Sequence, residues 1–99
     1  MDDIVFVPLT QHKAAIIDGV DAPEILSHKW HVNISAYNMY ACRKVGKRGQ
    51  QKRIWMHRLI AGTPDGQECH HKDGNSLNNR RGNLENCTRQ RNLSYRKRG

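Results

Sequence analysis

The chain has 99 residues, enough for one domain with a thin core, because a chain this short buries only a modest share of its surface. Hydrophobic residues make up 36%, and 17 Lys and Arg against 9 Asp and Glu leave a net charge of +8, which points to a polyanionic partner. No run approaches the roughly 18 apolar residues of a membrane span. The acidic start MDDIVFVPLT is unlike a secretory leader, so a soluble, cytoplasmic protein is expected. Three cysteines without a Cys-x-x-Cys pair argue against a disulfide framework and a four-cysteine zinc site, leaving Cys42, Cys69 and Cys87 as buried free thiols.

Ile4–Leu9 is β-rich, with Pro8 marking an edge position or a strand end. Thr10–Lys13 reads as a turn and Ala14–Ile17 as a returning strand, closed by the tight-turn dipeptide Asp18-Gly19. Asp21 is placed to cap a short helix with Pro23 and Glu24 in its first turn, Ile25 and Leu26 on its buried side and its end near Ser27-His28. Lys29–Ile34 and Ala36–Cys42 alternate as half-buried strands do, with a break at Asn33 to Ser35. Arg43–Gln51 is a Gly-, Lys- and Arg-rich hairpin loop, and Arg53–Met56 returns as a strand. Trp30, Tyr37, Tyr40 and Trp55 are the expected core of this sheet. His57–Ala61 is a short helix ended by Gly62, and Thr63-Pro64-Asp65-Gly66 is a turn.

The densest chemistry lies in CHHKDGNSLNNRRGNLENCTRQRN, Cys69 to Asn92. Glu68–His71 reads as a strand that runs into a loop, in which Gly74 and neighbouring Asn residues permit tight folding. Asn83–Cys87 reads as a second strand, and Thr88 as the cap of a helix over Arg89–Lys97. Neutral imidazole takes a proton from water near neutral pH, so a histidine here suits phosphodiester hydrolysis as a general base. Asn is disfavoured by roughly half a kcal/mol against Ala within a helix. Its presence at position 92 therefore suggests a task.

The order His71, Asn83, Asn92, with DGNSLNNRRGNL between and WMHRLIAGTPDGQ before, resembles the HNH nuclease motif, in the form found in small phage and intron-associated HNH endonucleases including homing endonucleases. The likeness is strong from about Met56 to Asn92 and looser from Ile4 to Trp55. It implies an α+β fold: a small N-terminal antiparallel sheet with a short helix, then a ββα-metal unit. The whole chain would be one HNH nuclease domain, with residues 1–56 as β-rich scaffold and 57–99 as helix plus ββα-metal unit. It further implies a phage-encoded protein in a bacterial host, with His71 as general base, Asn83 as the brace of the loop, and His70 and Asn92 as ligands of one divalent metal.

One position departs from the pattern. The residue before the base is usually Asp, and here it is His70. Colicin-type HNH nucleases also carry adjacent histidines, the first binding metal. Mg²⁺ or Mn²⁺ heads the expectation, Zn²⁺, Ni²⁺ and Co²⁺ stay open because imidazole suits them, and His70 and His71 could exchange roles.

The expected partner is DNA, with no role for a membrane. By the resemblance, Asn75 matches a loop Asn that can lie near the scissile phosphate, while Arg80, Arg81, Arg89, Arg91 and Arg96 would neutralise phosphates. The Arg43–Lys52 loop is the candidate for base contact. Many homing relatives carry a further DNA-binding module after the nuclease motif, so specificity for a long site would call for a homodimer or a partner protein. His57 is expected to be a structural histidine beside the sheet. The alternative from another class is a non-catalytic DNA-binding module with a degenerate HNH site.

Overall fold

The computed structural model describes residues 3–35 and 38–88. The chain opens with an antiparallel hairpin of β1 (Ile4–Pro8) and β2 (Ala14–Asp18), in register from Ile4↔Asp18 to Pro8↔Ala14. Strand alternation sends Val7, Ala15 and Ile17 inward and leaves Ile4 and Phe6 exposed. The turn between the strands places Gln11 and His12 at φ 59, a region that costs non-glycine residues energy. Asp18-Gly19 does not reverse the chain: Gly19–Asp21 is a 3-10 turn that leads into helix α1 (Ala22–Leu26). Asp21 stands at the start of α1 without a side-chain capping bond, because its carboxylate is held by Arg81. Ile25 is buried as expected, whereas Leu26 is half exposed.

A three-stranded antiparallel sheet follows, in the order β3 (His31–Ile34), β4 (Met39–Val45), β5 (Lys52–Trp55). β4 continues to Val45, three residues further than the alternation suggested, because Arg43, Lys44 and Val45 pair with Ile54, Arg53 and Lys52. The basic hairpin is thus a ladder with a short tip at Gly46–Gln51 rather than one long loop. Helix α2 (Met56–Ala61) ends where Gly62 takes the left-handed conformation at φ 60. The last described unit is the antiparallel pair β6 (Gln67–His71) and β7 (Leu84–Thr88). Antiparallel sheets and short helices make this an α+β chain. The expected final helix lies outside the described residues.

The core joins pieces of every unit but the last strand pair: Val7, Ala15 and Ile17 from the first hairpin, Ile25 from α1, Trp30, Ala41, Met56, and Leu77 from the loop between β6 and β7. Of the four aromatics expected in the core, Trp30 is buried there, its indole N–H donating to the Ile25 carbonyl at 2.8 Å. Tyr40 and Trp55 are only half buried and line a cavity, and Tyr37 lies outside the described residues. Among the described residues Cys42, Cys69 and Cys87 form no disulfide; Cys42 and Cys87 are buried and Cys69 is half buried. Among the described residues no helix is long and apolar enough to cross a membrane.

Candidate active site

The site is built where β6 ends. His71 is its last residue, paired with Leu84, while His70 pairs with Glu85 and shares its face of the ladder. Neighbouring strand residues point to opposite faces, so two adjacent histidines address one space only at a strand terminus. That condition is met here: both His70 and His71 line one cavity of about 440 Å³, with Tyr40, Trp55, His57 and Arg58 on its other walls.

The chain then makes a loop held together by its own asparagines. Asn83 accepts from the Asp73 backbone N–H at 3.0 Å through Oδ1, and its Nδ2 donates to Asp73 Oδ1 and to the Asn78 carbonyl, both at 2.9 Å. Asp73 also accepts from the Asn78 side chain and the Asn75 backbone N–H. The Asn78 amide, with the other hydrogen bonds, holds the Asp73 carboxyl below its usual range. Asn75 uses its Oδ1 on the Leu77 N–H, a local turn that lets Leu77 drop into the core. Gly74, at φ 77, supplies the tight bend. Asn83 thus makes three side-chain hydrogen bonds within the loop.

His71 is 8% exposed and its Nε2 lies 2.8 Å from Oδ1 of Asn79, a residue with no exposed surface. With a carbonyl oxygen as acceptor, Nε2 carries the hydrogen. Nδ1 is then the nitrogen with no hydrogen bond among the described residues. Burial lowers the His71 pKa from its ordinary value, and the Asn79 hydrogen bond and the Asp73 charge offset only part of that. His71 is therefore neutral, and basic, at neutral pH.

The ring of His57 stands 5.0 Å from that of His71, with Tyr40 5.4 Å away on another side. Burial, helped by the charges of His71 and Arg58, pushes the His57 pKa down to about 3. His57 Nδ1 and Asn79 Nδ2 are buried without a hydrogen-bond partner among the described residues. His57 is thus a wall of the site as well as a packing residue. Its signal in the sequence was weak, since helix position alone does not show which way a ring turns. Asn79 was missed outright: an Asn within an Asn/Arg-rich loop reads as exposed, and only tertiary contacts bury it.

Arg80 and Arg81 are occupied by carboxylates of the first hairpin and α1. Arg80 Nε lies 2.9 Å from Asp18, Arg81 Nη2 lies 2.7 Å from Asp21, and the Arg81 backbone N–H donates to Asp18 at 2.8 Å. Burial would raise the Asp18 pKa, but Arg80 and Arg81 outweigh it and leave it lowered. These arginines clasp the loop to the scaffold, so the part of their charge left for DNA is smaller than the sequence suggested. Arg89, Arg91, Asn92 and Arg96 lie outside the described residues. On the basic hairpin Lys44, Lys47, Arg48 and Lys52 are exposed, whereas Arg43 and Arg53 lie over the rings of Trp30 and Trp55 at 5.4 and 5.3 Å.

Among the described residues no group of three or more His, Cys, Asp or Glu is arranged to hold a metal. His70 gives one nitrogen donor at the cavity, with the Glu85 carboxylate across the ladder on the same face. That donor chemistry fits a borderline divalent ion needing a further ligand from elsewhere.

No curated protein and no solved structure matches this chain. Residues 54–94 match the family model described as HNH endonuclease, a segment that contains α2, β6, the asparagine-braced loop, β7 and the position of Asn92. Over that segment, with its paired histidines and braced loop, the chain is similar to the HNH endonuclease family.

Proposed function

We propose that this chain is a metal-dependent endonuclease that hydrolyses or nicks the phosphodiester backbone of DNA. The observation that carries the reading is His71: a buried, neutral imidazole at a strand end, held through Nε2 and facing a cavity, within a segment of HNH sequence. Nδ1 takes a proton from water as that water attacks phosphorus, and the 3′ oxygen leaves. Asn83 keeps the 72–83 loop folded, which fixes the backbone on which His71 ends. His70 and Asn92 are the residues to hold one divalent ion, which when bound neutralises charge on the phosphate and the leaving oxygen. The net charge of +8 draws DNA in without reading sequence. The exposed lysines of the β4–β5 ladder and the arginines after Thr88 would extend that surface, and Asn75 would lie beside the phosphate.

The test is relaxation of supercoiled plasmid by the purified chain with Mg²⁺, Mn²⁺, Zn²⁺, Ni²⁺ or Co²⁺ in turn. Cleavage with at least one ion is expected. DNA binding without cleavage in every ion would select the other reading, a non-catalytic DNA-binding module, which the replacement of the usual Asp by His70 favours.

A further inference from the structure

The geometry points to Asn79 as the positioning residue of the site, fixing the tautomer and direction of the His71 ring, with the first hairpin holding Asn79 in place. This rests on the reading of His71 as base. Asn79 is fully buried, and its Oδ1 faces His71 Nε2 at 2.8 Å. Water cannot replace that contact, so the imidazole N–H is the partner that satisfies the oxygen. The opposite tautomer would set two lone pairs against each other and leave the buried oxygen unpaired. With the Asn79 amide in this orientation the hydrogen stays on Nε2, and Nδ1 keeps the lone pair needed to accept a proton from water.

What holds Asn79 is not the nuclease motif. Its backbone N–H donates to the Ile16 carbonyl at 2.7 Å, and the Ile16 N–H donates to the Leu77 carbonyl at 2.8 Å, a parallel bridge between Ile16 and Asn78. Leu77 packs in the core with Val7 and Ile17, and Asp18 binds both Arg80 and the Arg81 backbone. β2 thus grips the loop on both sides of Asn79, although β2 lies outside the matched residues 54–94. The scaffold hairpin is in effect the support of the base.

Two measurements test this. The first is a two-bond ¹⁵N–¹H correlation spectrum of His71 in the wild-type chain at pH 8, which reports which ring nitrogen bears the hydrogen and needs no cleavage. A hydrogen on Nε2 is expected; a hydrogen on Nδ1, or an even mixture, would overturn the proposal even if the chain cuts DNA. The second is Asn79→Leu, close in size but without the acceptor. It should lower kcat about 10- to 100-fold, the range typical of residues that orient a working imidazole, with KM for DNA unchanged. Wild-type kcat in a folded Asn79→Leu chain would equally overturn it. If that variant does not fold, the wild-type spectrum decides alone. Failure of wild-type plasmid cleavage in every ion would remove the nuclease reading while leaving the tautomer result intact, so the two failures are distinguishable.

Discussion

The scaffold and the site loop are held by different physics. Over residues 3–35 and 38–56 the chain is fixed by burial: Val7, Ala15, Ile17, Ile25, Trp30 and Ala41 exclude water, and their contacts are non-directional. From 72 to 83 almost nothing apolar is available beyond Leu77, and the fold is fixed by directed hydrogen bonds from Asp73, Asn75, Asn78 and Asn83. A burial-held region degrades gradually when a methyl is lost. A hydrogen-bonded loop loses its shape when one amide goes, because the groups it satisfied have few other partners. The part of the molecule that demands geometry is built from the interaction that specifies geometry.

The sharpest way to break this contrast is Asn83→Ala. It deletes three side-chain hydrogen bonds and should cost about 2–3 kcal/mol of stability, together with about a 10- to 100-fold fall in cleavage among molecules that remain folded. Denaturant unfolding and plasmid nicking on the same sample measure both, and unchanged cleavage would mean that the loop does not position the base.

A second effect comes from acid. The His57 pKa falls from 6.5 to about 3 on folding, so the folded state excludes a proton that the unfolded chain binds. The stabilising contribution is fully present above pH 6.5 and is lost as pH falls from there toward 3. Between pH 7 and pH 5 the chain should lose about 2 kcal/mol. His57→Phe should lose less over that interval, the remaining loss coming from His71, whose pKa burial also lowers. Equal acid sensitivity in both chains would contradict the burial of His57 as a neutral ring.

The smallest effect belongs to the scaffold. Ile25→Val, in the fully packed core, should cost about 1 kcal/mol by thermal unfolding and leave cleavage by the folded protein at the wild-type rate. A cleavage loss as large as that of Asn83→Ala would erase the distinction between the two regions.

The same difference explains what the sequence disclosed. Strand alternation and turn residues located the first hairpin, the three-stranded sheet and α2 with its glycine stop, because local patterning and burial agree there. Gly74 and the DGN and NNRR elements pointed to a tight loop, and the hydrogen bonds of Asn83 lie within that short span. The contacts that the sequence did not disclose at the loop are long-range. Arg80 and Arg81 read as phosphate ligands, since nothing nearby shows that Asp18 and Asp21, more than 60 residues earlier in one case and 60 in the other, clasp them. Asn79 read as one more loop amide, because its burial depends on β2 crossing beside it. Asp18-Gly19 has the composition of a hairpin turn, yet it starts a 3-10 turn once Asp18 is engaged by the arginines.

The most direct test of the central claim, that His71 is the base of a DNA-cleaving site, is to compare wild type with His71→Ala in plasmid nicking and in DNA binding, using the ion that best supports the wild type. A drop in cleavage of at least about 100-fold with binding retained is the expected result. Undiminished cleavage by His71→Ala would contradict it.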